Sequence, residues 1–426
     1  MIHLILGAMI LGIVVGSVIY SGADPKTAID IAGYFELIST LFLRLIKMII
    51  APLVFSTLVV GIAHMGESSS IGRIFLKTMG WFFGASLVSL VLGLVMVNLL
   101  QPGLDLNMPL PDTGAATGLK TSSMSLKNFV EHLVPKSIVE AMAANEILQI
   151  VVFSVFFGIA TASLGEKGRI LTQGIDGAAH AMLVVTGYVM NFAPLAVFAA
   201  VAAIVAKQGL AVLIIFAKFM GGFYLSMASL WVVLIAAASL ILGLRVLRLI
   251  TLIREPILLA FSTASSEAAY PKTLENLERF GVPNRIASFV LPMGYSFNLD
   301  GSMIYCTFAT MFIAQAYNID LGIGTQITML LVLMLTSKGI AGVPRASLVV
   351  IAATLNQFNI PEAGLLLIMG IDHFLDMGRS ATNVIGNSLA TAIVAKWEGN
   401  LGPERAAAAD GAIMDEQPGP LPQAEG

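Results

Sequence analysis

The chain is short of charge, of cysteine and of metal-binding side chains, and each shortage excludes something. Only 12% of its 426 residues are Asp, Glu, Lys or Arg while 57% are hydrophobic, against about 25% charged residues in a typical soluble domain. With mean hydropathy at +0.89, there is too little polar surface to coat a water-soluble globule, so much of the apolar surface faces lipid. A net charge of −3 leaves no basic field for condensing on nucleic acid, which is excluded as a partner. The single cysteine, Cys306, forms neither an internal disulfide nor a Cys-rich metal site. The histidines, His3, His64, His132, His180 and His373, are scattered without ligand spacing. No Gly-x-Ser-x-Gly motif argues for a hydrolase. These exclusions leave an all-α polytopic membrane protein that is not an enzyme and carries no cofactor, with lipid as its surroundings.

Apolar stretches of spanning length run over 2–21, 35–64, 75–101, 145–165, 176–206 and 211–244, each long enough for about 30 Å of hydrocarbon. The opening run Met1 to Tyr20 has no Lys or Arg before it and reads as a first membrane helix, not a signal peptide. Gln101 to Asn145 is polar and rich in Pro and Gly, an expected extramembrane loop. Arg73, Lys77, Lys167, Arg169, Arg245, Arg248, Arg254 and Lys396 lie in short loops of one side. The positive-inside rule puts that side, and both chain ends, in the cytoplasm. From Pro403 onward the composition turns to Ala, Pro, Gly and acids, an expected disordered tail.

After Arg254 continuous spans give way to apolar half-spans broken by polar residues. Pro256 to Phe261 is too short to cross and runs into Ser262-Thr263-Ala264-Ser265-Ser266-Glu267. Ile327 to Leu335 is interrupted by a polar, Gly-rich run, Thr336 to Arg345, before Ala346 to Leu355 resumes. Each reads as a re-entrant hairpin, the alternative being an ordinary surface loop. Irregular backbone at membrane depth survives only inside protein or beside water, and paired interruptions point to a transporter binding site.

The sharpest signal is a polar stripe in an apolar helix. Asp372, Asp376, Arg379, Asn383 and Asn387 stand at offsets 0, 4, 7, 11 and 15, within an arc of roughly 80° at about 100° per residue. A central Asp or Arg costs about 3 kcal/mol on insertion scales, so this face looks into a polar cavity or at partners. It offers a guanidinium for a ligand carboxylate and a carboxylate for an ammonium; the alternative is an internal Asp376–Arg379 pair that only joins helices. Next, Asn298 and Asp300 are about 200° apart on an ideal helix and converge only if the helix unwinds, which Gly301 would permit. Unwound carbonyls with a carboxylate and an amide make an oxygen cage for a small cation or proton, unless Asp300 is paired elsewhere. Third, Ser265 and Ser266 at a hairpin tip suit an anionic group, and Glu267 beside them either takes up a proton at membrane depth or sits in water.

Ser265-Ser266 before Ala268-Ala269-Tyr270-Pro271, Asn298-Leu299-Asp300-Gly301-Ser302, Gly339-Ile340-Ala341-Gly342-Val343-Pro344, and Asp372 through Asn387 together resemble the dicarboxylate/amino acid:cation symporter family of glutamate transporter homologues. The order and spacing fit up to Trp397. The resemblance implies eight membrane helices, two hairpins, inverted repeats and a homotrimer whose transport domains slide like elevators in a bacterial inner membrane. It divides the chain into scaffold helices 1 and 2 (1–74), helix 3 of the transport domain (75–101), an extracellular loop with scaffold helices 4 and 5 (102–206), the rest of the transport domain (207–401) and a tail (402–426). By matching positions, Arg379 would bind the substrate's side-chain carboxylate and Asp376 its ammonium, with Asn383 and Ser380 assisting. Ser265, Ser266, Gly342 and Val343 would meet the main carboxylate, and Arg345 would lie in the extracellular gate.

Sodium-coupled members of that family carry an aspartate where this chain has Asn387 and hydroxyl residues where it has Phe82 and Ala85. Asn298, Asp300, Ser296 and Asn383 keep part of a cation cage, in which any sodium would use Asn298, Asp300 and Asn383. The missing charge favours protons over sodium, with Asp300, Asn298, Ser296, Asn387 and Glu267 as the cation or proton set. Archaeal members also have Arg where this chain has Ala264 and Gly where it has Arg345, so Arg345 is expected to restore the charge lost from the first hairpin. The expected activity is symport of glutamate or aspartate. The alternative is C4-dicarboxylate symport, whose carriers share Asn387 and the Tyr295-Ser296-Phe297 run but usually lack the acid at Asp376.

Overall fold

The computed structural model describes residues 2–63, 68–104, 110, 131, 134–209, 216–336, 346–369 and 371–404. Among these the regular structure is helical, without a strand. The helices are α1 (Ile2–Gly22), α2 (Pro25–Ala63), α3 (Ser68–Leu100), α4 (Ile138–Ala144), α5 (Ile147–Ser163), α6 (Glu166–Met190), α7 (Ala193–Gln208) and α8 (Ala217–Leu242). They continue as α9 (Arg245–Thr263), α10 (Tyr270–Phe280), α11 (Asn284–Phe297), α12 (Asp300–Ala316), α13 (Ile323–Thr336), α14 (Ala346–Gln357), α15 (Leu365–Met369) and α16 (Asp372–Trp397).

Four of them, α1, α2, α3 and α8, are long and apolar enough to cross a membrane. Only 17% of the most apolar stretch of α1 and 33% of those of α3 and α8 are buried, so Leu4, Ile10, Val14 and Val18 are left on an outward face that suits lipid. The span expected as continuous over 176–206 is instead two helices, α6 and α7, bent by 51°. Pro194 near the start of α7 explains the break: it has no N–H to give the carbonyl four residues back, and its ring crowds that carbonyl. With α5, the broken pair α11/α12 and the polar-striped α16, these make an all-α membrane protein in which, among the described residues, four helices, or five spans if α6 and α7 count as one, are long and apolar enough to cross.

Two packing groups are evident. In the first, α2 lies against α5, α6 and α7, and α1 against α7. The contact between α1 and α7 uses small residues: a Cβ at Gly12 would meet the Phe198 carbonyl at 2.8 Å, and one at Gly16 the Ala202 carbonyl at 2.8 Å. Without a hydrophobic drive between helices in lipid, such close backbone approach supplies the attraction. In the second group α16 is central, touching α3, α8, α9, α11 and α12, while α3 covers α12. The groups meet where α11 lies on α2 and α9 on α7.

Both interrupted regions are helix pairs. The first hairpin joins α9 to α10 through a turn closed by Ala264 in the left-handed region (φ 50°) and one 3₁₀ turn, Glu267–Ala269. In the second, α13 packs against α14; its apex, with Gly342, Val343 and Arg345, lies outside the described residues. Beyond α16 the chain crosses the base of the second group as a strap. Glu398 pairs with Arg73 and Lys77 on α3, the Gly402 N–H donates to the Gly281 carbonyl at 2.9 Å, and Arg248 on α9 pairs with Glu404. The first residues of the expected disordered tail are therefore held, and 405–426 lie outside the described residues.

Candidate functional site

The site forms where α16 crosses the break between α11 and α12. The chain leaves the helix at Asn298 and Leu299, as the Asn-Leu-Asp-Gly run predicts, and this lets Asn298 and Asp300 converge: the Asn298 Nδ2 donates to Asp300 Oδ2 at 3.2 Å. Gly301 plays a different part from the one expected. It is helical, inside α12, and its missing side chain makes room for the backbone carbonyl of Arg379, which a Cβ would overlap. Gly386 of α16 does the same for the Asp300 carboxylate. The two helices thus touch backbone to backbone at the break.

That contact consumes the stripe in order. At its start Asp372 accepts from the Tyr305 hydroxyl at 2.8 Å. One turn on, Asp376 and Arg379 form an ion pair at 2.9 Å, with side chains only 16% and 15% exposed. Arg379 Nη1 also donates to Ser302 on α12 at 3.2 Å and to Ser347 on α14 at 3.0 Å. The guanidinium is therefore held by a carboxylate and by hydroxyls from two other helices, one of them in the second hairpin, and it faces neither lipid nor bulk solvent. Asn383 accepts from the Gly301 N–H at 2.9 Å, and Asn387 accepts from Asn298 Nδ2 at 3.1 Å. Ser380 is buried beside Arg379. The internal Asp376–Arg379 pair, the alternative to a ligand-facing stripe, does exist, yet it stands beside hydroxyls that a ligand carboxylate can replace.

Asp300, Asn298 and Asn387 are all at most 1% exposed. The Ser89 hydroxyl of α3 shares its hydrogen between the Ala85 carbonyl at 2.8 Å and Asp300 Oδ1 at 3.3 Å. Ser86 reaches the Phe297 carbonyl at 3.5 Å. Ser86 and Ser89 thus place two α3 hydroxyls beside the break between α11 and α12, which the sequence reading missed. Nothing in a single sequence pairs Ser89 with a residue 211 positions away. Ser347 and Tyr305 were missed for the same reason. Asn298 Oδ1 and Ser296 Oγ are buried without a hydrogen-bond partner.

The first hairpin's tip is less tightly joined. Ser265 Oγ accepts from the Ala268 N–H at 3.3 Å, closing the turn, and Ser265, Ser266 and Glu267 are half-buried. Among the described residues, neither serine bonds to α16. Glu267 lies within electrostatic reach of Arg379 on α16 and of Lys47 and Glu146 on the first packing group. The tip therefore stands between the site and the α2 side of the molecule.

What this arrangement can do is bind: a buried guanidinium and carboxylate a few ångströms apart match a small zwitterionic or dianionic solute, and a neighbouring buried carboxyl can hold a cation or proton. Comparison with known proteins gives the same class. The chain is 44% identical over 403 residues to the proton/sodium-glutamate symport protein of Geobacillus stearothermophilus, covering 93% of this chain and 94% of the relative. It is 41% identical over 402 residues to the proton/glutamate-aspartate symporter of Escherichia coli K12, covering 92% of each. To the C4-dicarboxylate transport protein of Laribacter hongkongensis it is 40% identical over 372 residues, covering 86% and 84%. Residues 1–397 match the sodium:dicarboxylate symporter family, and the chain belongs to that family.

Proposed function

We propose that this protein is a secondary active symporter that takes up acidic amino acids, glutamate or aspartate, together with protons. The observation that carries the reading is the Asp376–Arg379 pair, shielded from solvent and surrounded by Ser302 and Ser347. A substrate carboxylate takes the guanidinium and its ammonium takes Asp376, each replacing the partner that the other side chain supplies. Ser265 and Ser266 of the first hairpin, with Gly342 and Val343 of the second, receive the second carboxylate, and Asn383 and Ser380 line the floor.

Protons are favoured over sodium at Asp300. Asn387 faces it across α16 through Asn298 where sodium-coupled relatives carry an aspartate, so the pocket lacks the second carboxylate that would balance a sodium ion. The remaining parts of the reading follow from family resemblance, a homotrimer in a bacterial inner membrane and the α16 group moving as an elevator against the α2 group, and from the positive-inside rule, which puts both chain ends in the cytoplasm. Arg345 supplies the positive charge of the outer gate. C4-dicarboxylate uptake is the second reading, supported by relatives of that name and by Asn387.

Purified protein in liposomes, with proton and sodium gradients imposed separately, tests this. Labelled glutamate accumulates under an inward proton gradient and is competed by aspartate. Accumulation under sodium alone overturns the coupling, and strong inhibition by succinate with none by glutamate reverses the substrate.

A further inference from the structure

Behind the polar stripe, α16 is gripped by α8, a helix that supplies none of the site residues. Tyr224, Met227 and Trp231 stand at offsets 0, 3 and 7 on α8 and so share one face. Leu225, Val232 and Leu240 of the same helix are exposed on a side that suits lipid. The inner face meets Phe374, Gly378 and Thr382 of α16, spaced four apart. At about 100° per residue, that line lies roughly 140° round α16 from the line of Asp372, Asp376, Arg379, Asn383 and Asn387.

Two polar contacts make the grip directional. The Tyr224 hydroxyl donates to the Phe374 carbonyl at 2.6 Å, and Trp231 Nε1 donates to the Thr382 hydroxyl at 2.8 Å. Thr382 in turn donates to the Gly378 carbonyl of its own helix at 2.9 Å. Between the two bonds the helices close on each other: a Cβ at Gly378 would overlap the Met227 methyl and lie 2.8 Å from the Tyr224 ring. Thr382 and Met227 are at most 1% exposed. One bond stands two residues before Asp376 and the other three after Arg379, so they bracket the charged pair. Helices in lipid have no hydrophobic drive between them, and close packing with directional hydrogen bonds fixes how one is turned against the other.

We propose that Tyr224 and Trp231 are positioning residues, which fix the rotation of α16 from behind and so aim Arg379 and Asp376 at two charged groups of one substrate at once. The inference rests on the reading of that pair as the recognition element for an acidic amino acid. A recognition pair must be held to within about 0.5 Å and about 10–20°. A ligand anchored at both Asp376 and Arg379 therefore suffers more from a turn of the helix than one anchored at Arg379 alone. Glutamate is of the first kind; succinate, which has no ammonium group, is of the second.

Tyr224→Phe and Trp231→Phe remove the two donors and leave a ring in each place, while Thr382→Val removes an acceptor that Thr382→Ser keeps. Initial rates of labelled glutamate uptake into proteoliposomes are read against glutamate concentration and against succinate as competitor. In Tyr224→Phe, Trp231→Phe and Thr382→Val the half-saturating glutamate concentration rises about fivefold, the scale set by one interhelical hydrogen bond, and the maximal rate stays within about twofold. The ratio of the succinate inhibition constant to the glutamate half-saturation falls in all three, and Thr382→Ser matches the unmodified protein. An unmoved half-saturation overturns the proposal even if the maximal rate drops, since that drop reports only fewer folded carriers. A half-saturation that rises at constant ratio overturns it too, as does a Thr382→Ser protein that behaves like Thr382→Val. If the unmodified protein takes up succinate and not glutamate, the substrate reading falls by itself. The grip is then judged on succinate: a raised half-saturation in Tyr224→Phe and Trp231→Phe, with Thr382→Ser unchanged, supports it, and an unmoved one overturns it.

Discussion

Two side chains of opposite charge on one helix carry the substrate reading, and their pairing makes it testable. Asp376 and Arg379 are three positions apart and neutralise each other at 2.9 Å, so removing either leaves a largely buried charge uncompensated. In Asp376→Asn the guanidinium keeps Ser302 and Ser347 but loses its counter-charge. The site then favours a dianion without an ammonium group. Glutamate uptake is expected to fall at least tenfold, about 1.4 kcal/mol or more, while succinate becomes the stronger competitor of what uptake remains. Competition curves on membrane vesicles read this directly, and an unaltered glutamate half-saturation would remove Asp376 from the site. Arg379→Lys tests the other partner less sharply, since a lysine keeps the charge and loses the planar fork.

At the scale of helices, much of the architecture was legible because its signals are local. The polar stripe of α16 follows from spacing alone, and the break at Asn298–Leu299 follows from two polar residues that an unbroken helix would point apart. What could not be read depends on partners far along the chain. Gly301 looked like the cause of the unwinding, yet the structure uses it for contact with Arg379, 78 positions later. The bend between α6 and α7 was hidden because Pro194 sits inside an otherwise apolar run, where hydropathy outweighs one residue. The seam between α1 and α7 was equally silent, although Gly12 and Gly16 stand four apart. Its prediction is specific: a Cβ at Gly16 would lie 2.7 Å from Val205 Cβ, whereas one at Gly7 meets nothing within 4 Å. Gly16→Leu should cost about 1–3 kcal/mol, as overpacking does, and lower the melting temperature in detergent, while Gly7→Leu leaves it in place. Equal melting of the two variants would mean that α1 does not pack on α7 through this seam.

Across the whole molecule, the strap after α16 fixes the helices that hold the site. Arg245 on α9 donates to the carbonyls of Phe280 and Gly402 at 3.1 and 2.8 Å, and Gly281, at φ 106°, leaves no room for a Cβ against the Gly402 and Pro403 carbonyls. Glu398 is its anchor, with a side chain 1% exposed between Arg73 and Lys77. The hydrogen bonds from Arg73, and then those from Lys77, hold its carboxyl below the usual carboxylate range against the opposing effect of burial. A carboxyl depressed on folding stabilises fully above its unfolded value, about 4.3 for Glu, and loses that contribution as pH falls through the folded value. Glu398→Gln should therefore cost about 1–3 kcal/mol between pH 5 and 8, by a constant amount, and the difference from the unmodified protein should shrink as the pH drops below about 4. Glu404 is also held low, by Arg248, but that pair is open to water, where screening leaves little net stabilisation. Glu404→Gln should accordingly melt with the unmodified protein at every pH. Thermal melts of both variants across that range decide the matter: if Glu398→Gln tracks Glu404→Gln, the strap does not fasten α3 to the end of α16.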